Sequence, residues 1–391
     1  EELEEEPVVD GLQLKRIAAA VGARALTDEA RSDENALVRP NRRGRIPVIN
    51  VEKWLAPQLP DLEPPQQHKK DRAVTIDLSG CVLGSTGAQV LAGCLQAPPL
   101  RPHEASGGRG VTELNLSGCG LGDAALAALA AAPLYWENHD QKLEIHRHKY
   151  DHRHVVSLSL AHNKFGKPGL KSLCQPALGE RLRALELSDN DIGTPGALAV
   201  LSAALADSHL TSLCLARCQI GSSGCLALGS NELPETLTSL DLSGNRITRS
   251  AEVKNLTAKL DYDSTGWTAL CERLQISNIT SLRLASTGIG PEGASVLAER
   301  GMRDWQQCKL LLLDLSDNSL RSAGVVALSK SASQTPIRQL LLGGNEISAS
   351  GLSGMCDAYI RAARVRGKLV GMTPTAVREL DLTGLKDSGE R

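Results

Sequence analysis

The sequence predicts an α/β solenoid, a tandem stack of short parallel strands, each followed by a helix. Three observations predict it: an apolar pattern that recurs along most of the chain, glycines at a fixed offset from that pattern, and a composition almost free of rings. Of 391 residues only 2% are aromatic, and Phe165 is the single Phe. A thick globular core draws much of its buried area from rings. This core has to be built from Leu, Ala, Val and Ile, which suits a thin, repetitive one.

The pattern is clearest in VTELNLSGCGLG, starting at Val111. Counterparts start at Ala73, Val155, Leu182, Leu210, Leu237, Ile279, Leu310, Ile337 and, truncated, Val377, which makes ten copies of L-x-x-L-x-L-x-x-N/C-x-L. The alternating Leu residues form the inward face of a short strand, whose side chains repeat every second residue. The Asn or Cys stands where the chain turns out of the strand and can bond backbone groups that the turn leaves unpaired. Asn163, Asn190, Asn245, Asn318 and Asn345 hold this place; Cys81, Cys119, Cys218 and Thr287 substitute for it, and Leu385 breaks it. Six residues further on lies a glycine in most copies, such as Gly169, Gly224 or Gly351, suited to tight packing where a helix begins. A helical stretch follows, as in GALAVLSAAL from Gly196.

The shortest spacing between copies is 27–28 residues, enough for a strand and a full helix. In motif and period the chain resembles the ribonuclease-inhibitor type of leucine-rich repeat. The resemblance covers residues 73–391 and implies a leucine-rich repeat solenoid, a horseshoe of about ten repeats with a parallel concave sheet and convex helices. Residues 1–72 do not show the repeat. They combine acidic EELEEE, an amphipathic stretch from Leu12 to Gly22, basic RPNRRGR (Arg39–Arg45) and a Pro-rich stretch from Ile46 to Pro65. We read them as an irregular N-terminal extension that caps the first repeat, lies on a partner, or both.

Four spacings exceed the basal unit, and the surplus is placed after the helix and before the next strand. The insertions are Pro98–Gly110, Tyr135–His154, Asp261–Asn278 and Tyr359–Ala376, all on one edge of the stack. They hold Trp136, Tyr150, Tyr262, Trp267 and Tyr359, rings that are expected to serve as edge-loop contacts.

The horseshoe geometry also implies a concave binding face. Its strand positions carry Asp77, Glu113, Glu186, Asp241, Asp314, Glu379 and Asp381, with Arg283 as the one basic residue. A surface of one charge sign attracts the opposite sign, so the expected occupant is a basic protein segment, and nucleic-acid phosphate is repelled. The whole chain is nearly neutral, with net charge −2, which also argues against a general nucleic-acid binder. Contact with RNA is left to Arg39–Arg45 or to the His-rich loop with His139, His146, His148, His152 and His154. That His cluster has no neighbouring Cys and no fixed ligand spacing, so we read it as a solvated hairpin and assign no metal.

No HExxH, GxSxG or P-loop occurs. GIGPEG (Gly288–Gly293) fits GxGxxG, but its glycines belong to the repeat. The chain is therefore expected to be non-enzymatic and to need no cofactor. Its ten cysteines lack paired spacing and lie largely in apolar segments, as reduced, buried residues of a cytosol-like compartment would. No apolar run is long enough to span a membrane, so no membrane partner is expected. Since residue 1 is Glu rather than Met, the sequence reads as a portion of a longer chain. The sequons at Asn115, Asn255 and Asn278 are read as chance matches.

Among families with such repeats, the chain is similar to axonemal proteins, including the leucine-rich subunit of the dynein regulatory complex. That likeness implies a protein-binding scaffold in a multi-subunit assembly, cytoplasmic and flagellar, within the cytoskeleton of a cilium. Two alternatives stay open: a subunit of a ribonucleoprotein such as an organellar ribosome, or a regulator similar to the Ran GTPase-activating proteins. The latter family presents an Arg after an early strand; the matching loops here, Leu83–Ser85 and Leu121–Asp123, have none, and Arg246 and Arg321 sit in later loops.

Overall fold

The computed structural model of the chain describes residues 74–85, 87–89, 91, 111–131, 155–174, 182–248, 262–304, 307–366 and 379–381. The elements run in order as β1 (Val74–Asp77), β2 (Val111–Asn115), α1 (Asp123–Ala131), β3 (Ser157–Ser159), α2 (Lys167–Cys174), β4 (Ala184–Glu186), α3 (Pro195–Ala206), β5 (Ser212–Cys214), α4 (Ser222–Gly229) and β6 (Ser239–Asp241). They continue as α5 (Thr265–Gln275), β7 (Ser281–Arg283), α6 (Gly290–Val296), a π-turn at Leu297–Gly301, β8 (Leu312–Asp314), α7 (Arg321–Ala332), β9 (Gln339–Leu341), α8 (Ala349–Arg366) and β10 (Glu379–Asp381). The chain divides into two compact units, Glu1–Glu186 and Leu187–Arg391. The irregular extension expected over 1–72, with Arg39–Arg45, lies outside the described residues, as does the His-rich loop.

In the first unit β1, β2, β3 and β4 pair in parallel in chain order, with Leu114, Leu158 and Leu185 in register. In the second, β5 to β10 do the same, and Leu213, Leu240, Leu282, Leu313, Leu340 and Leu380 share one register row. In β3 to β9 the central Leu is buried and its neighbours face the other way, the period-two alternation that the repeat requires. The next Leu in eight of the repeats, at 116, 160, 187, 215, 242, 284, 315 and 342, is also buried, and the helices add residues such as Leu126, Leu170, Leu201, Leu228, Leu270 and Leu328. Each fully buried Leu contributes about 1.5–3 kcal/mol of transfer free energy. The aliphatic spine therefore holds each unit together with few rings.

The Asn positions stitch the turns. Asn245 Nδ2 donates to the carbonyls of Leu242 and Leu215, while its Oδ1 accepts from the amides of Cys218 and Ile220. Asn318 and Asn345 repeat the arrangement toward Thr287 and Asn318, and Asn163 does so in the first unit. Where Cys stands in for Asn, its thiol makes the same reach: Cys119 Sγ donates to Leu78 O at 3.0 Å and Cys218 Sγ to Leu187 O at 3.2 Å. Each such residue bonds backbone groups that the turn would otherwise bury unpaired.

One repeat departs from the expected order. The surplus between Leu237 and Ile279 was placed after the helix, yet α5 lies inside that segment, so the extra residues precede the helix. The cause is visible in α5: Trp267, Leu270, Cys271 and Leu274, at i, i+3, i+4 and i+7, are all buried and form its core-facing stripe. At Gly266 an added Cβ would sit 1.8 Å from the Ser222 carbonyl oxygen, so α4 and α5 meet backbone to backbone there. In the last insertion, too, the segment from Tyr359 to Arg366 continues α8 rather than forming a loop. No helix among the described residues is long and apolar enough to cross a membrane.

Candidate functional site

The face of each sheet opposite the helices gathers the acidic residues. Asp77, Glu186, Asp241 and Asp314 are half-buried at the ends of their strands, and Glu113 is exposed. Glu113 pairs in register with Ser157, and Asp241 with Arg283, which pairs in turn with Asp314. Glu379 and Asp381 occupy the corresponding places on β10, in register with Gln339 and Leu341. Arg283 is exposed and is the only cation at these strand positions among the described residues.

The aspartates also serve their own turns. Asp77 Oδ1 accepts from the amide of Ser79 at 2.9 Å, Asp241 Oδ1 from Ser243 at 2.8 Å, and Asp314 Oδ1 from both the amide and the hydroxyl of Ser316. Asn115 does the same for Ser117, whose hydroxyl in turn lies 2.7 Å from that of Ser159. In these Asx turns one side-chain oxygen is committed to the backbone two residues on. The repeated Asp-Leu-Ser or Asn-Leu-Ser triplets carried that signal in the sequence, which the reading by charge alone passed over.

The aromatic contacts expected on edge loops fare differently. Trp267 is corrected: it is fully buried on α5, and its Nε1–H donates to the carbonyl of Gly293 at 2.9 Å. A ring of this size fills the space between neighbouring helices and has no surface left to offer. Tyr359 is likewise no loop residue but a half-buried position on α8, beside buried Met355 and Ala358. Tyr262 is 44% exposed just before α5, and partial burial together with the charge of Glu292 pushes its hydroxyl pKa up. Trp136 and Tyr150 lie outside the described residues.

Other chemical candidates dissolve into repeat architecture. In GIGPEG, Gly288 has φ +68°, a turn conformation open to glycine, and a Cβ on Gly293 would strike Ile289. Asp123, the first residue of α1, accepts from the amides of Gly166 and Gly169, capping the next helix, α2. The described cysteines are free thiols. Burial pushes Cys81 up to about 11 and Cys119, Cys174 and Cys225 up to about 12, so these are poor nucleophiles. Among the described residues no group of His, Cys, Asp or Glu is placed to hold a metal ion. Sequence reasoning also missed a surface ion pair on the turn edge, in which Arg217 clasps Asp189 through Nε at 2.7 Å and Nη2 at 2.5 Å.

A family model described as "Leucine Rich repeat" matches residues 74–92, 111–130, 151–174, 182–201, 206–229, 234–250, 275–298 and 306–329. The chain belongs to the leucine-rich-repeat superfamily. Within it the chain is ribonuclease-inhibitor-like. It is 27% identical to the ribonuclease inhibitor of Sus scrofa over 343 residues, covering 74% of this chain and 68% of that protein. It is 27% identical to the ribonuclease inhibitor of Mus musculus over 230 residues, 47% of this chain and half of that protein. A NACHT, LRR and PYD domains-containing protein 3 of Macaca mulatta is 30% identical over 203 residues, 46% of this chain but only 19% of its own length. Among solved structures, the Rad7 and Elc1 complex of yeast aligns with 89% of this chain and 74% of its own, at 15% identity and a TM-score of 0.43. Leucine-rich-repeat arrays generally act as protein-interaction scaffolds, because stacked repeats spread a long, regular surface.

Proposed function

We propose that this leucine-rich-repeat chain is a non-enzymatic scaffold that takes basic segments of protein partners on the sheet face opposite its helices. The observation that carries this reading is the charge of that face. At the described strand positions the first unit carries Asp77, Glu113 and Glu186 and no cation, and the second carries Asp241 and Asp314 against the one cation Arg283, spaced within each unit by the parallel strands. Such a surface favours cationic protein segments, repels phosphate backbones, and gains specificity from charge placement more than from apolar grip. The half-buried Ser159, Ser239 and Ser281 between the carboxylates offer hydrogen bonds and little apolar area. The finer placement, a structural subunit of a large assembly such as the axoneme, rests on the resemblance to axonemal repeat proteins.

The test is affinity capture from the source cell with the native chain and with a Glu113→Lys/Glu186→Lys variant, each checked for folding by circular dichroism. Partners that bind the native chain and are lost by the variant support the reading. An unchanged set of partners on the folded variant refutes it.

A further inference from the structure

We propose that the sheet face of the second unit docks a helical protein segment carrying one carboxylate between two cations, with Arg283 as the anchor for that carboxylate. This rests on the sheet-face reading above and adds the charge order and the shape of the partner.

Four residues form one row across neighbouring strands. Asp241, Arg283, Asp314 and Leu341 are register partners on β6, β7, β8 and β9. An exposed guanidinium between two aspartates would ordinarily bridge to one of them. Here it forms no ion pair or hydrogen bond with a described residue. The reason is local: Asp241 Oδ1 is held by the amide of Ser243, and Asp314 Oδ1 by the amide and hydroxyl of Ser316. Each aspartate thus has one oxygen committed to its own turn, and Arg283 stands exposed between them, open to a partner's carboxylate. The rows on either side are small here, with Ser239 and Ser281 before it and Ser243 and Ala285 after it, so a partner can approach the guanidinium closely.

The spacing selects the shape of the occupant. Neighbouring strands lie about 4.8 Å apart, so Asp241, Arg283, Asp314 and Leu341 fall near 0, ~4.8, ~9.6 and ~14.4 Å along the row. A helix rises 1.5 Å per residue, placing positions i, i+3, i+7 and i+10 at about 0, 4.5, 10.5 and 15 Å on one face. An extended strand offers same-side residues about 6.8 Å apart, and would lose step with the row by ~2 Å at each strand. The complementary segment is therefore a helix with Lys or Arg at i, Glu at i+3, Lys or Arg at i+7 and Leu at i+10. The last position meets half-buried Leu341, beside half-buried Leu312.

The test uses the full chain and three fluorescently labelled synthetic helical peptides that differ only at these positions: Lys-Glu-Lys-Leu, Glu-Lys-Lys-Leu and Lys-Lys-Lys-Leu. Binding is measured by fluorescence anisotropy at low and at physiological salt. The first peptide is expected to bind about tenfold more tightly than the other two, and Arg283→Glu, at an exposed position, to reverse the order against Lys-Lys-Lys-Leu. Equal binding of all three, no binding of the first, or an unchanged preference in the folded Arg283→Glu variant would overturn the proposal. If the three bind alike and all weaken in a folded Asp241→Lys/Asp314→Lys variant, the sheet-face reading stands and only the role of Arg283 falls. If partner capture is indifferent to charge reversal on the face, the broader reading falls by itself.

Discussion

The side-chain amide of Asn245 donates to the carbonyl of Leu215 at 2.7 Å, across a sequence separation of 30 residues. The same side chain accepts from the amides of Cys218 and Ile220 and is completely buried. One residue thus completes the turns of two successive repeats. Asn245→Ala leaves several buried backbone groups without partners and is expected to cost about 2–4 kcal/mol. Asn245→Cys keeps the donor, as Cys218 does one repeat earlier, and should cost visibly less. Urea denaturation followed by far-UV circular dichroism measures both.

Trp267 belongs to the core and not to a contact surface. Trp267→Ala should destabilise by about 3–5 kcal/mol through the cavity it leaves. Trp267→Phe retains most of the volume and loses the bond to Gly293, at a cost of about 1–2 kcal/mol. Neither substitution should alter partner affinity at temperatures where the chain remains folded. Thermal melts paired with binding measurements separate the two roles.

How far the sequence disclosed these features depends on which constraint was strongest. The Leu rows and the Asn or Cys turn residues were legible because one face of every strand is buried, and a one-residue slip would expose it. The helix α5 was misplaced because the position of a surplus was inferred from spacing alone. The pattern Trp267, Leu270, Cys271, Leu274 marked a helix within that very surplus. The acidic strand positions were legible as charges, whereas the turning of Asp241 and Asp314 toward their own serines follows from local backbone geometry that a tally of charges ignores.

Close helix contact makes two glycines behave in opposite ways. Gly266→Ala forces a methyl group into the Ser222 carbonyl and should cost about 2–3 kcal/mol or more. Gly122 has open space where a Cβ would stand, so Gly122→Ala should change stability by no more than about 0.5 kcal/mol. Chemical denaturation of the two variants side by side provides the comparison.

Buried thiols predict an alkaline limit to stability. Cys225 is raised to about 12 and Cys81 to about 11 by burial, from an ordinary value of 9.0. Above that ordinary value the unfolded chain loses thiol protons that the folded chain retains, so stability is full below pH 9 and falls as pH rises toward 11–12. Replacing Cys225 with Ala should flatten that decline. At neutral pH, alkylation of the native chain followed by mass spectrometry should label exposed Cys356 well before buried Cys225 and Cys271.

Zero-length carbodiimide coupling of the native complex most directly tests whether partners sit on the sheet face, since it joins a carboxylate only to an amine in contact with it. The expected products link partner lysines to Asp77, Glu113, Glu186, Asp241 or Asp314. Products confined to exposed helix-side acids such as Glu272, Glu299 and Asp357 would contradict the account.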